Sequence, residues 1–348
     1  MLPKIKKSYI CAGIPVEDIA TDLSSYYIPK VGDVAVFEVL KIGKHTNIQG
    51  EDKRLVTILP GDFIMAAFGT RYATEQFEGY VPEAPQEVFH ILGAGGTVGI
   101  VHSSHKKFEA AGPTILKIAG YVVDRKGTFV NTKWLQAPRR KQFTGRMSYL
   151  SKIILSVGSS MDSGKTTSAA YMVNGFKRSG KKAAFIKLTG TVYTKDTDLV
   201  YDLGADMVSN FGDYGFPSTY MCSENELLDL FESLVTDVSK VEPDYIVIEI
   251  ADGIYQRETK MLLNNHRFMS VVDEVVFSGG DSLSAVHGAE KLRQWGIEPL
   301  ALSGLFTASP LLIKEVTENC DIPVLNLQQL SEGGLMNLLE RRHLAVAG

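Results

Sequence analysis

Ten consecutive residues could act chemically as a unit: Gly158-Ser159-Ser160-Met161-Asp162-Ser163-Gly164-Lys165-Thr166-Thr167. They follow the apolar run 153–157 and open a stretch with helical spacing, 166–178. A strand that feeds a glycine turn and then a helix aims several backbone N–H groups, and the positive end of the helix, at one point where a phosphate can sit. Gly158, Ser159 and Ser163 then form the loop and Gly164 lets its backbone come close to the ligand. Lys165 is placed to reach the β- and γ-phosphates, Thr166 to offer its hydroxyl to Mg²⁺, and Thr167 to touch the α-phosphate. The expected cofactors are therefore Mg²⁺ with ATP or GTP.

Two further strand ends carry residues suited to the same chemistry. The run 183–187 ends in Lys187-Leu188-Thr189-Gly190, and a lysine at the carboxyl edge of a parallel strand lies beside the phosphate loop if the two strands are neighbours. Asp196 and Asp198 follow, read as two carboxylates in a loop that could hold the metal or its water. The run 244–249 delivers Glu249 and, three residues later, Asp252. A buried strand ending in a carboxylate is what Mg²⁺ coordination beside such a loop needs, and Glu249 and Asp252 compete for that role. Gly279-Gly280-Asp281-Ser282 and the segment 304–310 each follow a strand and open a helix, so both are candidates to line the same crevice.

Five residues, not four, separate Gly158 from Gly164. This spacing resembles the loop of the dethiobiotin synthetase and cobyrinic acid amide synthase group, ATP-dependent enzymes in the deviant-Walker branch of P-loop NTPases. Residues 152–330 also look like the C-terminal domain of the D-glutamate N-acetyltransferase family, through the loop spacing, Thr189-Gly190, the 206–211 stretch and Glu249. The resemblance implies an acidic role inside the loop for Asp162, substrate or phosphate contact for Lys187, and the metal-side carboxylate for Glu249. It also implies base contacts from the segment holding Thr307 and Ser309, with adenine and guanine both open, and a homodimer with substrate near the subunit interface.

These residues need a scaffold that brings strand ends together. From residue 152 onward apolar runs alternate with helical stretches, the pattern of βαβ units around a parallel sheet. Strands are expected at 153–157, 183–187, 245–250, 274–277, 299–302 and 323–325. Helices are expected at 166–178, 224–241, 282–295, 311–319 and 328–341, the second opened by a Ser223-x-x-Glu226 capping box. Residues 31–135 differ. They are rich in Gly, Val, Thr and aromatics, with short runs at 33–40, 54–59, 63–68, 97–102 and 120–123, and they read as a β-barrel or sandwich. The expected organisation is an N-terminal segment 1–30, a β-rich domain 31–135, a basic linker 136–150 containing Arg139, Arg140, Lys141 and Arg146, and an α/β P-loop domain 151–348.

The remaining arithmetic excludes several classes. With 348 residues, 45% hydrophobic and 22% charged, the chain can bury more than one core and is neither disordered nor fibrous. The formal net charge of −4 gives no global case for nucleic acid or an anionic membrane. It is unevenly spread: residues 1–150 hold 19 Lys and Arg against 14 Asp and Glu, and residues 151–348 hold 17 against 26. Three cysteines without C-x-x-C spacing encode neither a disulfide framework nor a zinc site, which favours the cytoplasm. No apolar run reaches membrane-spanning length. Gly93-Ala94-Gly95-Gly96 imitates a dinucleotide fingerprint but precedes a β-rich stretch, not a helix. His102 and His105 lack a nearby third ligand, and Tyr72, Phe77 and Tyr80 around Arg71 read as core or as a small binding surface.

The sequence therefore points to Mg²⁺-dependent nucleotide hydrolysis or phosphoryl transfer that activates a small carboxylate-type substrate, a ligase- or kinase-like activity. The alternatives are a nucleotide-controlled switch that recruits a protein or RNA partner, a polynucleotide kinase, or a CoA-dependent acyltransferase.

Overall fold

The computed structural model describes residues 4–21, 26–145 and 150–347; Arg146 of the expected linker lies outside them. The chain divides into two compact units. The first comprises residues 1–140 with 190–194 and 211–221, and the second residues 141–189, 195–210 and 222–348.

The first unit is β-rich. Strands Phe63–Phe68, Val34–Lys41, Ile115–Val123, Val88–Gly93 and Thr97–Ser104 pair in that order, and Thr97–Ser104 pairs again with Phe63–Phe68 through Thr97 beside Ala67 and Val98 beside Phe68. The ring of five is thus closed as a barrel, the arrangement that removes sheet edges. Period-two alternation turns Ala35, Phe37 and Val39, Ile64, Ala66 and Phe68, Phe89 and Ile91, and Leu116 and Ile118 into one core. The Gly93–Gly96 run is the turn of an antiparallel hairpin, with Gly96 at φ +102°. A hairpin explains these glycines without a dinucleotide. The 54–59 run shortens to Leu55–Thr57, paired with Asn47–Gln49, and Phe77–Tyr80 and Arg71–Tyr72 extend the sheet from Thr97–Ser104.

The second unit is built on a six-stranded parallel sheet in the order Met207–Asn210, Ala183–Lys187, Tyr245–Glu249, Lys152–Gly158, Glu274–Ser278, Ala301–Ser303. Its strands are apolar almost throughout because helices cover the sheet: Ile154, Phe185, Val247 and Val276 pack with Val173 and Phe176 of the Lys165–Arg178 helix. The fold is thus α/β, a parallel-sheet domain preceded in sequence by a β-rich one.

Three expectations are corrected here. Residues 323–325 form no strand; only Val324 makes a bridge, to Leu302. The helix expected at 328–341 breaks into Leu327–Ser331 and Gly334–Ala347, because Gly333 takes φ +84°. Asp196 and Asp198 lie in a helix, Lys195–Asp202, not a loop. Side chains two apart on a helix do not share a face, so the two do not act as a paired site.

Candidate functional site: the Gly158–Thr167 loop

Segments at the carboxyl ends of three neighbouring parallel strands clamp the Gly158–Thr167 loop. The Ser159 N–H donates to the Ser278 carbonyl at 2.9 Å, the Ile254 N–H to the Gly158 carbonyl at 3.0 Å, and the Leu305 N–H to the Ser163 carbonyl at 3.1 Å. Backbone approach is tight. A Cβ on Gly158 would sit 2.4 Å from Ser163 Oγ, and one on Gly253 would sit 2.3 Å from the Ser159 carbonyl oxygen. Two loop acids, Asp162 at φ +59° and Asp252 at φ +61°, occupy the left-handed region, a strain that clusters at ligand clamps. Gly164 adopts φ +93° as the residue preceding the Lys165–Arg178 helix.

Gly304 shows what the clamp demands. At φ +107° its added Cβ would meet the Ser163 carbonyl oxygen at 2.5 Å and the Gly279 carbonyl oxygen at 2.6 Å. Gly304→Ala is expected to cost at least about 1–3 kcal/mol, from the φ alone, and to loosen the loop it supports. A urea denaturation midpoint equal to wild type would refute this.

Lys165 is 5% exposed, and its ammonium folds back on the loop, donating to the Ser160 carbonyl at 2.6 Å and to Ser163 Oγ at 3.4 Å. Burial pulls its pKa below the usual lysine range, against the opposing pull of the Glu249 carboxylate. Thr166 Oγ1 donates to Glu249 Oε1 at 2.8 Å. The same oxygen accepts from Lys187 Nζ at 2.5 Å, and Lys187 also pairs with Asp196 Oδ2 at 2.8 Å. Burial lowers the Lys187 pKa, but Asp196 and Glu249 outweigh it and hold the amine above its ordinary value. Burial raises the Asp196 pKa, yet Lys187 outweighs it and holds that carboxyl below its ordinary value.

The strand of Lys187 is not a neighbour of Lys152–Gly158; Tyr245–Glu249 lies between them. Glu249 stands opposite Ser156 on one side and Lys187 on the other. It therefore links Thr166 to Lys187 through one oxygen. Its second oxygen, Oε2, is buried without a hydrogen-bond partner, as are Ser159 Oγ and Ser278 Oγ. A buried carboxylate oxygen left unmatched is costly; Glu249 and Ser278 end their strands, and Ser159 opens the loop. Asp252 is half-buried, acts electrostatically on Lys165, and sits on a turn fixed by the Ala251 N–H donating to Thr189 Oγ1 at 2.8 Å.

On the other flank of the loop lies a cavity of about 270 Å³, lined among others by Gly164, Thr167, Thr307, Asn326, Leu327 and Gln328. Thr307 donates its hydroxyl to the Gly304 carbonyl at 2.8 Å. Ser309, expected here too, serves as the N-cap of Pro310–Asn319. Asp198 lies on the helix of Asp196, turned to another face. Asn326 to Gln328 escaped sequence reasoning because Asn326 belongs to a capping box with Gln329, and a cap carries no sign of a cavity beside it.

No protein-family model matches the chain, and no curated protein matches it. Solved structures do. A DUF1611 family protein from Anabaena variabilis matches at 13% identity over 58% of this chain and 61% of its own, with a TM-score of 0.42. The signal recognition particle 54 kDa protein from Aeropyrum pernix, in complex with GDP, matches at 16% identity over 56% of this chain and 50% of its own, TM-score 0.35. FtsY from Mycoplasma mycoides matches at 13% identity over 59% and 74%, TM-score 0.35. The chain thus spans under two thirds of the length of the first two.

Proposed function

We propose that the parallel-sheet unit binds a Mg²⁺–nucleoside triphosphate on the Gly158–Thr167 loop and uses it to activate a small carboxylate-type substrate. One observation carries this reading: the Thr166 hydroxyl meets Glu249 Oε1 at 2.8 Å while Glu249 Oε2 is buried and unmatched. A hydroxyl beside a half-satisfied carboxylate suits Mg²⁺, which takes one or two carboxylates and leaves the rest of its shell to water and phosphate. Among the described residues no group of three or more His, Cys, Asp or Glu gathers as a metal cage, and none is needed for this arrangement.

In this reading Thr166 and Glu249 would hold the metal, Glu249 being preferred to Asp252 because its carboxylate accepts from the Thr166 hydroxyl at 2.8 Å. When bound, Mg²⁺ neutralises charge on the phosphate oxygens. The loop N–H groups hold the phosphates, and Lys165 exchanges its contacts with Ser160 and Ser163 for the β- and γ-oxygens. Lys187, whose ammonium donates to Glu249, orients the acceptor carboxylate. The cavity beside Thr167 and Thr307 takes the base, adenine or guanine. Catalysis is then positioning and charge compensation.

The test is calorimetric titration of ATP and GTP with and without Mg²⁺, using wild type and Thr166→Val. Mg²⁺ should strengthen nucleotide binding in the wild type, and the variant should lose at least about tenfold of that gain, the scale seen when a metal site loses a supporting group. Absence of nucleotide binding, or an unchanged Mg²⁺ dependence in the variant, would sink the reading. Phosphate release stimulated by small carboxylic acids identifies the acceptor.

A further inference from the structure

In the β-rich unit, basic side chains converge on a single neutral amide. Gln76 Oε1 accepts from Lys44 Nζ and, at 2.7 Å, from Arg71 Nη2. Arg71 is 9% exposed and also donates through Nη1 to the Leu92 carbonyl. Lys44 Nζ is held 5.3 Å from the Phe77 ring centre and 5.0 Å from that of Phe108. Lys107 approaches the Phe108 ring at 5.5 Å while pairing with Glu75 at 2.7 Å. Beside Lys44, His45 is 7% exposed and its Nδ1 is buried without a partner.

Two cations sharing one amide oxygen, Arg71 buried and Lys44 half-buried, are under strain from both desolvation and mutual repulsion. Burial, then Arg71 and Lys107, push the Lys44 amine down to about 7. Burial, then Lys44 and Arg71, keep His45 well below its ordinary value, so the imidazole is neutral and its unmatched nitrogen faces a positive surrounding. Gln76 also lines a cavity of about 280 Å³ with Tyr72, Thr74, Glu78, Ser103 and His105. The one acid on that wall is already satisfied. Glu78 accepts from Tyr80 Oη and from Ser103 Oγ, each at 2.6 Å. The cavity is large enough for a small organic acid, and Gln76, whose amide the two cations share, is part of its wall.

We propose that this cluster is a binding site for a small oxyanion, a carboxylate or phosphate group that replaces the Gln76 amide as the shared acceptor of Lys44 and Arg71. The inference is independent of the nucleotide reading, since every residue in it belongs to the β-rich unit.

The experiment is amine acylation of the full chain near neutral pH, with Lys44 modification read by peptide-resolved mass spectrometry. Millimolar succinate and inorganic phosphate are the probes, and potassium chloride of equal ionic strength is the control. Succinate, phosphate or both should protect Lys44 saturably, since an oxyanion that raises its pKa by about one unit removes most of the reactive amine. Which probe protects says whether carboxylate or phosphate is the natural head group. Running the same series on Lys165→Ala keeps any phosphate held on the nucleotide loop out of the result. Gln76→Glu, which supplies the anion covalently, should lower Lys44 acylation about tenfold without added ligand and abolish further protection. Protection no better than chloride by either probe, or Gln76→Glu that folds yet leaves Lys44 as reactive as wild type, overturns the proposal.

Discussion

Lys165→Ala should cut nucleotide turnover by about a hundredfold or more, the scale for losing one preorganised charge from a transition state, while the protein stays folded. The two halves of this expectation have one cause. The Lys165 amine is 5% exposed and bonds to a carbonyl and a hydroxyl of its own loop, and burial lowers its pKa. Folding therefore gains little from this charge, and its removal should leave the thermal midpoint near wild type. On the proposed reading a bound triphosphate would gain much more, because the ammonium would then meet charged phosphate oxygens in place of a neutral carbonyl and hydroxyl. Lys165→Arg should fail almost as badly, since the planar guanidinium cannot follow a compact ammonium into that space. The check pairs ATP and GTP hydrolysis rates with thermal denaturation by circular dichroism. Full activity in a folded Lys165→Ala protein would remove phosphoryl transfer on this loop from consideration.

The strand–loop–helix geometry at Gly158–Thr167 was legible because it admits few residues. Gly158 and Gly164 are required by contacts and φ that exclude a Cβ, and Lys165-Thr166 follows them at the start of a helix. The parallel sheet was legible for a similar reason, since strands buried on both faces must be apolar throughout. What could not be read depends on pairing between distant segments. That Lys187 and Thr166 share Glu249 Oε1 follows from Tyr245–Glu249 lying between the other two strands, with Glu249 in register with both Ser156 and Lys187. No local spacing encodes that order. The sequence does not announce the helix of Asp196, because that helix is only eight residues long and opens with Lys195 and two acids, a polar run with little periodicity. Ser309 and Asn326 show the ambiguity from both sides. Each is an N-cap, yet the one beside the cavity is the one the sequence did not single out. In the β-rich unit a barrel or sandwich is expected, but Arg71–Tyr72 and Phe77–Tyr80 are too short to announce themselves, so the convergence of Lys44 and Arg71 on Gln76 emerges only from the fold.

Lys187→Met should be the most destabilising single change in the site, by about 3–5 kcal/mol, because it leaves buried acid without its cation. Glu249 is 0% exposed and Asp196 has a side chain 35% exposed, so the larger share of the loss falls on Glu249. Adding Glu249→Gln to Lys187→Met should recover much of the stability, since the double variant buries no unpaired charge at that position. The pH dependence has a definite sign at each end. The Lys187 pKa is raised in the folded protein, so its contribution is full below the unfolded lysine value near about 10 and disappears as pH climbs through the folded value. The Asp196 pKa is lowered, so its contribution is present above about pH 4 and disappears as pH falls through the folded value. The stability gap between wild type and Lys187→Met should therefore be widest between these limits and close toward both, which urea denaturation across the pH range can measure. Mg²⁺ separates the structural role of Lys187 from the proposed metal role of Glu249. With the competing ammonium gone, Glu249 offers the ion an unneutralised carboxylate, and Mg²⁺ should raise the midpoint of Lys187→Met more than that of wild type. Equal shifts would keep the ion pair as a structural feature and take the metal away from Glu249.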